Sequence, residues 1–432
     1  MWHCHYGVNL RIPSEMVNGM PSADPKVASF SCRSCGATAG ELVLDLGEQP
    51  LANNLPRLED LDQPESHFPL RLVVCAECWL MQITNIIPPV ELFTEYVYFS
   101  SYSDAWAKHA EECARRYLRE FELGSANWVV EIASNDGYLL RHFAASGIPH
   151  IGIEPAGNVV DVAREKGVTT RVDFFTKDLA LELAAERKAD LVLANNVLAH
   201  VPDINDFTAG LKALLAGEGR AILEFPHATE MISQSEFDTI YHEHVFYFTL
   251  TALEPLFIRH GLRLTRVERT PMHGSSLRIF VRHDKHEADD TVAALLAEEK
   301  KLGVTSTEFY SDFTLKAAFI RESLCEKITA LSAEGKTIAA YGAAAKGAVL
   351  LNYCGLDAEQ IAFVVDRSPH KQGRLMPGVR VPIVSAEELV ARHPDVTLLL
   401  AWNFAEEIMA QQSAYRNAGG KFLIPVPAVR LV

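Results

Sequence analysis

Between residues 127 and 226, short apolar runs alternate with amphipathic stretches, and the same alternation returns between 335 and 403. A chain patterned this way buries its strands on both faces, so each region predicts a parallel, doubly wound sheet covered by helices. The first unit reads as strands at 128–133, 150–153, 169–172, 189–194 and 220–225, with helices at 138–143 and 159–166. The second reads as strands at 337–341, 361–365 and 396–401, with a helix at 348–354. Residues 286–333 read as charged amphipathic helices bridging the two units.

Such sheets bind ligands outside the carboxyl ends of their strands. In the first unit those ends carry 131–137, Glu154, Asp173, 195–200 and 224–227. Glu154 lies 17 positions after Gly137, where a carboxylate suits a ribose diol. Asn135-Asp136 puts an acid where a dinucleotide fold would cradle phosphate, which favours a cationic ligand bearing an amino group. S-adenosylmethionine fits that description and carries no phosphate. Ala133 and Asn135 stand where many methyl-donor folds carry glycine. The methyl-donor reading is preferred to a dinucleotide, and a nucleotide fold with another ligand, or none, is the alternative. In the second unit, Gly342-Ala-Ala-Ala-Lys346-Gly347 is a small-residue turn opening a helix, a plausible anion site. It lacks the G-x-G-x-x-G spacing, so a nucleotide-sugar diphosphate is preferred to NAD. The plain alternative is a packing domain with Lys346 solvated.

The two ends of the chain read differently. Two C-x-x-C pairs, Cys32/Cys35 and Cys75/Cys78, predict a closed tetrahedral zinc site with a structural role. Ordinary buried thiols or a redox pair are the alternatives. The 39 residues between the pairs imply an insertion at 42–72. The 432 residues, 48% apolar and 22% charged, allow two to three domains. A net charge of −16 argues against nucleic acid as a partner. There is no run of 18 apolar residues and no apolar leader, so the expectation is a cytoplasmic protein with no membrane span. Residues 1–28 read as a flexible extension, with Met16 or Met20 as alternative starts.

Tyr241-His-Glu-His244 is the densest group of proton-moving side chains. On its residues alone it fits a fragment of a metal site or acid–base apparatus. A catalytic metal site is the weaker reading, because adjacent residues cannot easily reach one ion together and four cysteines already complete a zinc shell.

These segments, together with 95–103 and 365–373, closely resemble the zinc-containing deoxysugar C-methyltransferases, typified by the dTDP-sugar C-3′-methyltransferases of antibiotic pathways. The likeness runs from about residue 30 to 432, in family order. It implies a zinc-binding domain (29–95), an S-adenosylmethionine-binding domain (96–333, with the helical linker 286–333) and a Rossmann-like nucleotide-sugar domain (334–432). It implies a reaction in which a base removes the proton alpha to the ketone of a 4-keto sugar nucleotide and the resulting enolate is methylated. The resemblance gives His244 as base with Tyr241 in the same proton path. His200 steadies the enolate, and Glu243 contacts the sugar. His242 receives no role beyond packing. On the donor side Asp136, Gly137 and Asn195 surround the methionine part, Glu154 the ribose, and Asp173 and Phe174 the adenine, with Glu131, Ala133 and Asn135 also counted as cofactor-binding. Tyr96, Tyr98, Ser100, Ser101, Tyr102, Lys346 and Asn403 line the sugar-nucleotide cleft. A monomer is expected. The rivals are an S-adenosylmethionine-dependent O- or N-methyltransferase, which needs no enolate stabiliser, and a non-catalytic zinc-module binding protein.

Overall fold

The structure is a computed structural model that describes residues 30–93, 100–102, 104–270 and 276–432. Its N-terminal module is an antiparallel meander of β1 (Gly40–Pro50), β2 (His67–Cys75) and β3 (Met81–Ile83). The insertion read between the cysteine pairs is the β1–β2 hairpin. The first pair precedes β1, and the second is the tight connection from β2 to β3. The fourth strand of this sheet, β9 (Phe246–Tyr247), comes from the middle of the chain. It pairs Tyr247 with Met81 and Phe246 with Gln82.

Strand alternation makes this sheet a wall between two cores. Leu72 and Val74 of β2 face a core shared with the helix Glu308–Ala333 and the C-terminal unit. Val73 and Cys75, on the opposite face, join the core of the central unit. The helix Glu308–Ala333 buries Tyr310, Phe313, Ala317, Ile320, Leu324, Ile328 and Leu331, a stripe at helical spacing that cements the outer two units together.

The central sheet holds β4 (Val129–Ile132), β5 (His150–Ile153), β6 (Thr170–Arg171), β7 (Ala189–Asn195) and β8 (Leu215–Pro226), all parallel. An antiparallel pair, β10 (Leu262–Thr270) and β11 (Ser276–His283), closes one edge, giving the order β10-β11-β8-β7-β4-β5-β6. The sequence reading had a wholly parallel sheet, and this hairpin is an addition to it. Strand order reverses between β4 and β7, so the chain leaves these neighbours toward opposite sides and opens a crevice at their carboxyl ends. The strand read at 128–133 stops at Ile132, because Ala133 turns to φ +54°.

The C-terminal sheet runs in the order β14 (Ile383–Ser385), β13 (Val364–Asp366), β12 (Ile338–Tyr341), β15 (Val396–Leu399), β16 (Lys421–Ile424), β17 (Arg430–Leu431). The first five strands are parallel, and β17 is antiparallel to β16. The helix after β12 spans Ala345–Cys354, so Lys346 sits in its first turn. Among the described residues, no helix is long and apolar enough to cross a membrane.

Candidate active site

The four cysteine sulfurs lie within 4.8 Å of one another. Cys32 and Cys78 are 3.5 Å apart and Cys35 and Cys75 3.6 Å, close to the roughly 3.8 Å edge of a tetrahedron with 2.3 Å Zn–S bonds. The Glu77 N–H donates to Cys75 Sγ at 3.4 Å, and the Gln82 amide donates to Cys32 Sγ at 3.3 Å, as thiolate ligands require. All four acceptors point inward and leave no open position, so the donor set suits Zn²⁺ in a structural role. The first knuckle is moored to the central unit. Asn205 donates to the Arg33 carbonyl at 2.7 Å, and Arg259 to Ser34 Oγ at 2.7 Å.

A cleft of about 910 Å³ opens at the β4/β7 crevice and extends to the C-terminal unit. Its donor end is bordered by Ala133, Asn135, Glu154, Asp173, Phe174 and Asn195. Ala133 (φ +54°) and Asn135 (φ +50°) hold the left-handed geometry that glycine adopts freely, so the tight turn persists at a steric cost. Glu154 anchors this turn by accepting from the Asn135 N–H and the Ala156 N–H, each at 3.0 Å. Burial pushes its carboxyl up, and these N–H groups pull it back. Two of its lone-pair directions remain for a diol. Asn195 Oδ1 is buried with no partner, an acceptor that suits an ammonium group. These features fit S-adenosylmethionine.

Three of the expected donor residues do not border the cleft. Glu131, on β4 itself, is fully buried, and burial pushes its carboxyl well above the usual range. Asp136 is committed to Lys166 at 2.9 Å and to the Ser101 hydroxyl, and Ser101 does not border the cleft either. Gly137 (φ +73°) is needed for packing, since a Cβ there would lie 2.8 Å from Val168. Ser100 does border the cleft, and its N–H donates to Asn135 Oδ1 at 2.9 Å. Tyr96 and Tyr98 lie outside the described residues, as does the side chain of Tyr102.

Midway along the cleft stand Tyr241, His244 and His200. His244 Nδ1 meets the Thr239 carbonyl at 3.0 Å; a carbonyl only accepts, so the ring proton is on Nδ1. Nε2 of the neutral ring is then an acceptor, and the Tyr241 hydroxyl donates to it at 2.8 Å. The His200 ring stands 4.8 Å from that of His244. Burial drives His200 down to about 4, only partly offset by its bond to the Glu243 carbonyl, so it is neutral at pH 7. Its Nδ1 has no partner, which places the Glu243 contact, and the proton, on Nε2. In this tautomer Nδ1 accepts. Donation to an enolate, the role the resemblance implies for His200, uses the other tautomer.

Residues 241–244 form a turn, not the strand the sequence reading assumed: the His244 N–H donates to the Tyr241 carbonyl at 2.9 Å, which brings the two outer side chains to the cleft and turns the two inner ones away. His242 is buried against β2, with Nε2 3.3 Å from the Pro69 carbonyl and its ring edge-on to Phe68. Glu243 borders a second cavity of about 630 Å³ and accepts from Asn53 Nδ2 at 2.6 Å. Asn53 borders both cavities, so it is the link between Glu243 and the cleft. The segment is pinned on both sides: the Val245 N–H donates to Ala199 at 2.7 Å, and the Ile83 N–H of β3 donates to Val245 at 3.0 Å.

At the far end Lys346 lies 4.1 Å over the Trp402 ring and donates to Asn403 Oδ1 at 3.1 Å. The Trp402 indole donates to the buried Asp238 carboxylate at 2.7 Å. Asn53, Glu236, Asp238 and Lys371 belong to this surrounding; Lys371 falls in the segment 365–373 already singled out, whereas Asn53, Glu236 and Asp238 carry no motif spacing, the two acids standing among the polar residues Ser233, Gln234, Ser235 and Thr239.

A second group with metal-ligand character, His109, Cys113 and Glu224, already holds its cation. Arg278 donates to Glu224 at 2.6 Å and to Cys113 Sγ at 2.8 Å. His109, which burial alone would lower, is raised to about 9 by Cys113 and Glu224.

Comparison with known proteins finds three family models along the chain, the last beginning at residue 271 rather than near 334. Residues 32–93 match a putative zinc binding domain, residues 105–267 a methyltransferase domain, and residues 271–427 a C-methyltransferase C-terminal domain. The chain is 38% identical over 404 residues to the C-methyltransferase NovU of Streptomyces niveus, spanning 93% of this chain and 96% of that one. Among solved structures, a magnesium protoporphyrin IX methyltransferase from Synechocystis is 16% identical with a TM-score of 0.32, covering 40% of this chain and 78% of that one. An S-adenosylmethionine-dependent methyltransferase from Clostridium acetobutylicum is 13% identical with a TM-score of 0.34, covering 41% and 92%.

Proposed function

Because the chain belongs to the family of zinc-containing S-adenosylmethionine-dependent C-methyltransferases, we propose that it methylates a dTDP-linked 4-keto deoxysugar at C-3′ through an enolate. One observation supports this reading: the hydrogen-bonded Tyr241–His244 pair lines a single cleft with the residues at the β4/β7 crevice and with Lys346 at a helix start. When bound, S-adenosylmethionine supplies the electrophilic methyl group. Glu154 would hold its ribose, Asp173 and Phe174 its adenine, and Asn195 its amino group, with Ala133 and Asn135 shaping the turn beneath. Glu131, Asp136 and Gly137 support that turn from behind. Lys346 and Asn403 take the diphosphate, which places the sugar against Tyr241.

Deprotonation runs through the pair. The Tyr241 hydroxyl gives its proton to His244 Nε2 as its oxygen takes the proton alpha to the ketone, so the imidazole ends protonated and the substrate carries the negative charge. Thr239 keeps His244 in the tautomer that can accept. Asn53 and Glu243 stand at the sugar's other side.

Incubation with a dTDP-linked 4-keto-6-deoxysugar in D₂O, without methyl donor, tests this. Deuterium should enter at C-3′, and adding donor should give a C-methyl product. An O-methyl product with no deuterium uptake would overturn the proposal in favour of an O-methyltransferase.

A further inference from the structure

Glu236 lines the cleft with Lys346 and Tyr241, and the proposed chemistry leaves it without a task. It is only 9% exposed, and its carboxylate receives no hydrogen bond from the described residues. Its charged surroundings are Lys346, which opposes the effect of burial, and the acids Asp238 and Glu230, which add to it. Burial without a donor pushes its carboxyl up to about 7. A carboxyl group so placed costs stability unless something donates to it. No apolar necessity keeps it there, and the wall it belongs to is that of a ligand site. The missing donor is therefore expected from the ligand.

The kind of donor follows from the neighbours. A diphosphate at neutral pH has only acceptors, and it belongs with Lys346 and Asn403. Moving from there toward Tyr241, the next part of a nucleotide sugar is the glycosyl ring, whose hydroxyl or amino groups donate. We infer that Glu236 reads the glycosyl ring of the substrate, accepting a hydrogen bond from a sugar hydroxyl or amine while Lys346 holds the diphosphate beside it. The inference rests on the nucleotide-sugar reading above.

Binding of dTDP and of dTDP-glucose to the full-length protein, measured calorimetrically for wild type, Glu236→Ala and Glu236→Gln, separates the two. Loss of a hydrogen bond to a charged acceptor predicts roughly tenfold or more weaker dTDP-glucose binding by Glu236→Ala. Binding of dTDP should stay within about twofold on the same reasoning, because the diphosphate contacts are untouched. Glu236→Gln, which keeps one acceptor oxygen, should fall between. Undiminished S-adenosylhomocysteine affinity in each variant verifies the fold. Equal affinities of wild type and both variants for dTDP-glucose overturn the inference alone. So does an equal loss for both probes, which would make Glu236 a support for Lys346 or a reader of the nucleoside. Wild-type protein that binds neither probe overturns the nucleotide-sugar reading, and this inference with it.

Discussion

Replacing Tyr241 with Phe removes one oxygen and keeps the ring, which packs 4.1 Å from the His244 imidazole, centroid to centroid. What is lost is the 2.8 Å hydrogen bond to Nε2. Both residues are only partly buried, so water in the cleft can serve the vacated nitrogen, and the net cost to folding is about 1 kcal/mol. That corresponds to a thermal shift of no more than about 4 °C. A proton relay through the hydroxyl predicts a far larger kinetic effect, roughly 10²–10⁴-fold, or about 3–5 kcal/mol of barrier. The assay is deuterium wash-in at C-3′ of the dTDP-linked ketosugar without methyl donor, read by NMR, alongside thermal melting of the same preparation. The two numbers should part company, with near-normal melting and exchange slowed at least a hundredfold by the estimate above. Exchange within about threefold of wild type, well under that range, would show that His244 takes the carbon-bound proton directly.

Other expectations follow from the same contacts. Cys78→Ser should release the zinc and abolish turnover while S-adenosylhomocysteine still binds, with hydrogen exchange rising in β3 and at 245–247; full turnover of the metal-stripped protein would refute this. Asp238 is raised to about 6 by burial, against Lys346 and the Trp402 N–H. Its neutral form is therefore favoured by folding, and that stability is whole below about pH 4 and lost as pH rises through 6. Asp238→Asn should accordingly gain on wild type between pH 4 and 8, by up to about 3 kcal/mol. A stability difference flat across that range would mean the group is not titrating as placed. Glu154→Gln should weaken S-adenosylhomocysteine binding about tenfold, and unchanged affinity would remove Glu154 from the ribose site.

The parallel strands were legible because they are continuous apolar runs closed by turn residues, and 150–153 reads true to the residue. The β10–β11 hairpin was not. Arg263, Arg266, Arg269 and Arg278 interrupt its pattern, yet Arg278 is buried because Glu224 and Glu268 pair with it and Cys113 Sγ accepts from it. The cysteine shell was complete from spacing alone, since local geometry fixes it. The donor turn was half legible: Ala133 and Asn135 keep glycine-like torsions that no composition rule would grant them, while Asp136 turned inward to Lys166, some thirty positions away. Glu236, Asn53 and Asp238 were invisible because their meaning depends on which unit packs over them, and that is set by long-range contacts.

The pairing of β9 with β3 also bears on the order of assembly. Synthesised from its N-terminus, the chain completes the cysteine shell once Cys78 has emerged, yet the meander behind it still ends on an open edge, with β3 unpaired on one side. That edge stays open until Phe246 and Tyr247 arrive, and these follow directly on the relay residues. The last strand to close the metal module is thus the first to lock the reactive segment. A chimera that exchanged residues 30–93 for those of a relative would inherit a foreign partner for β9, and with it a different setting of His244.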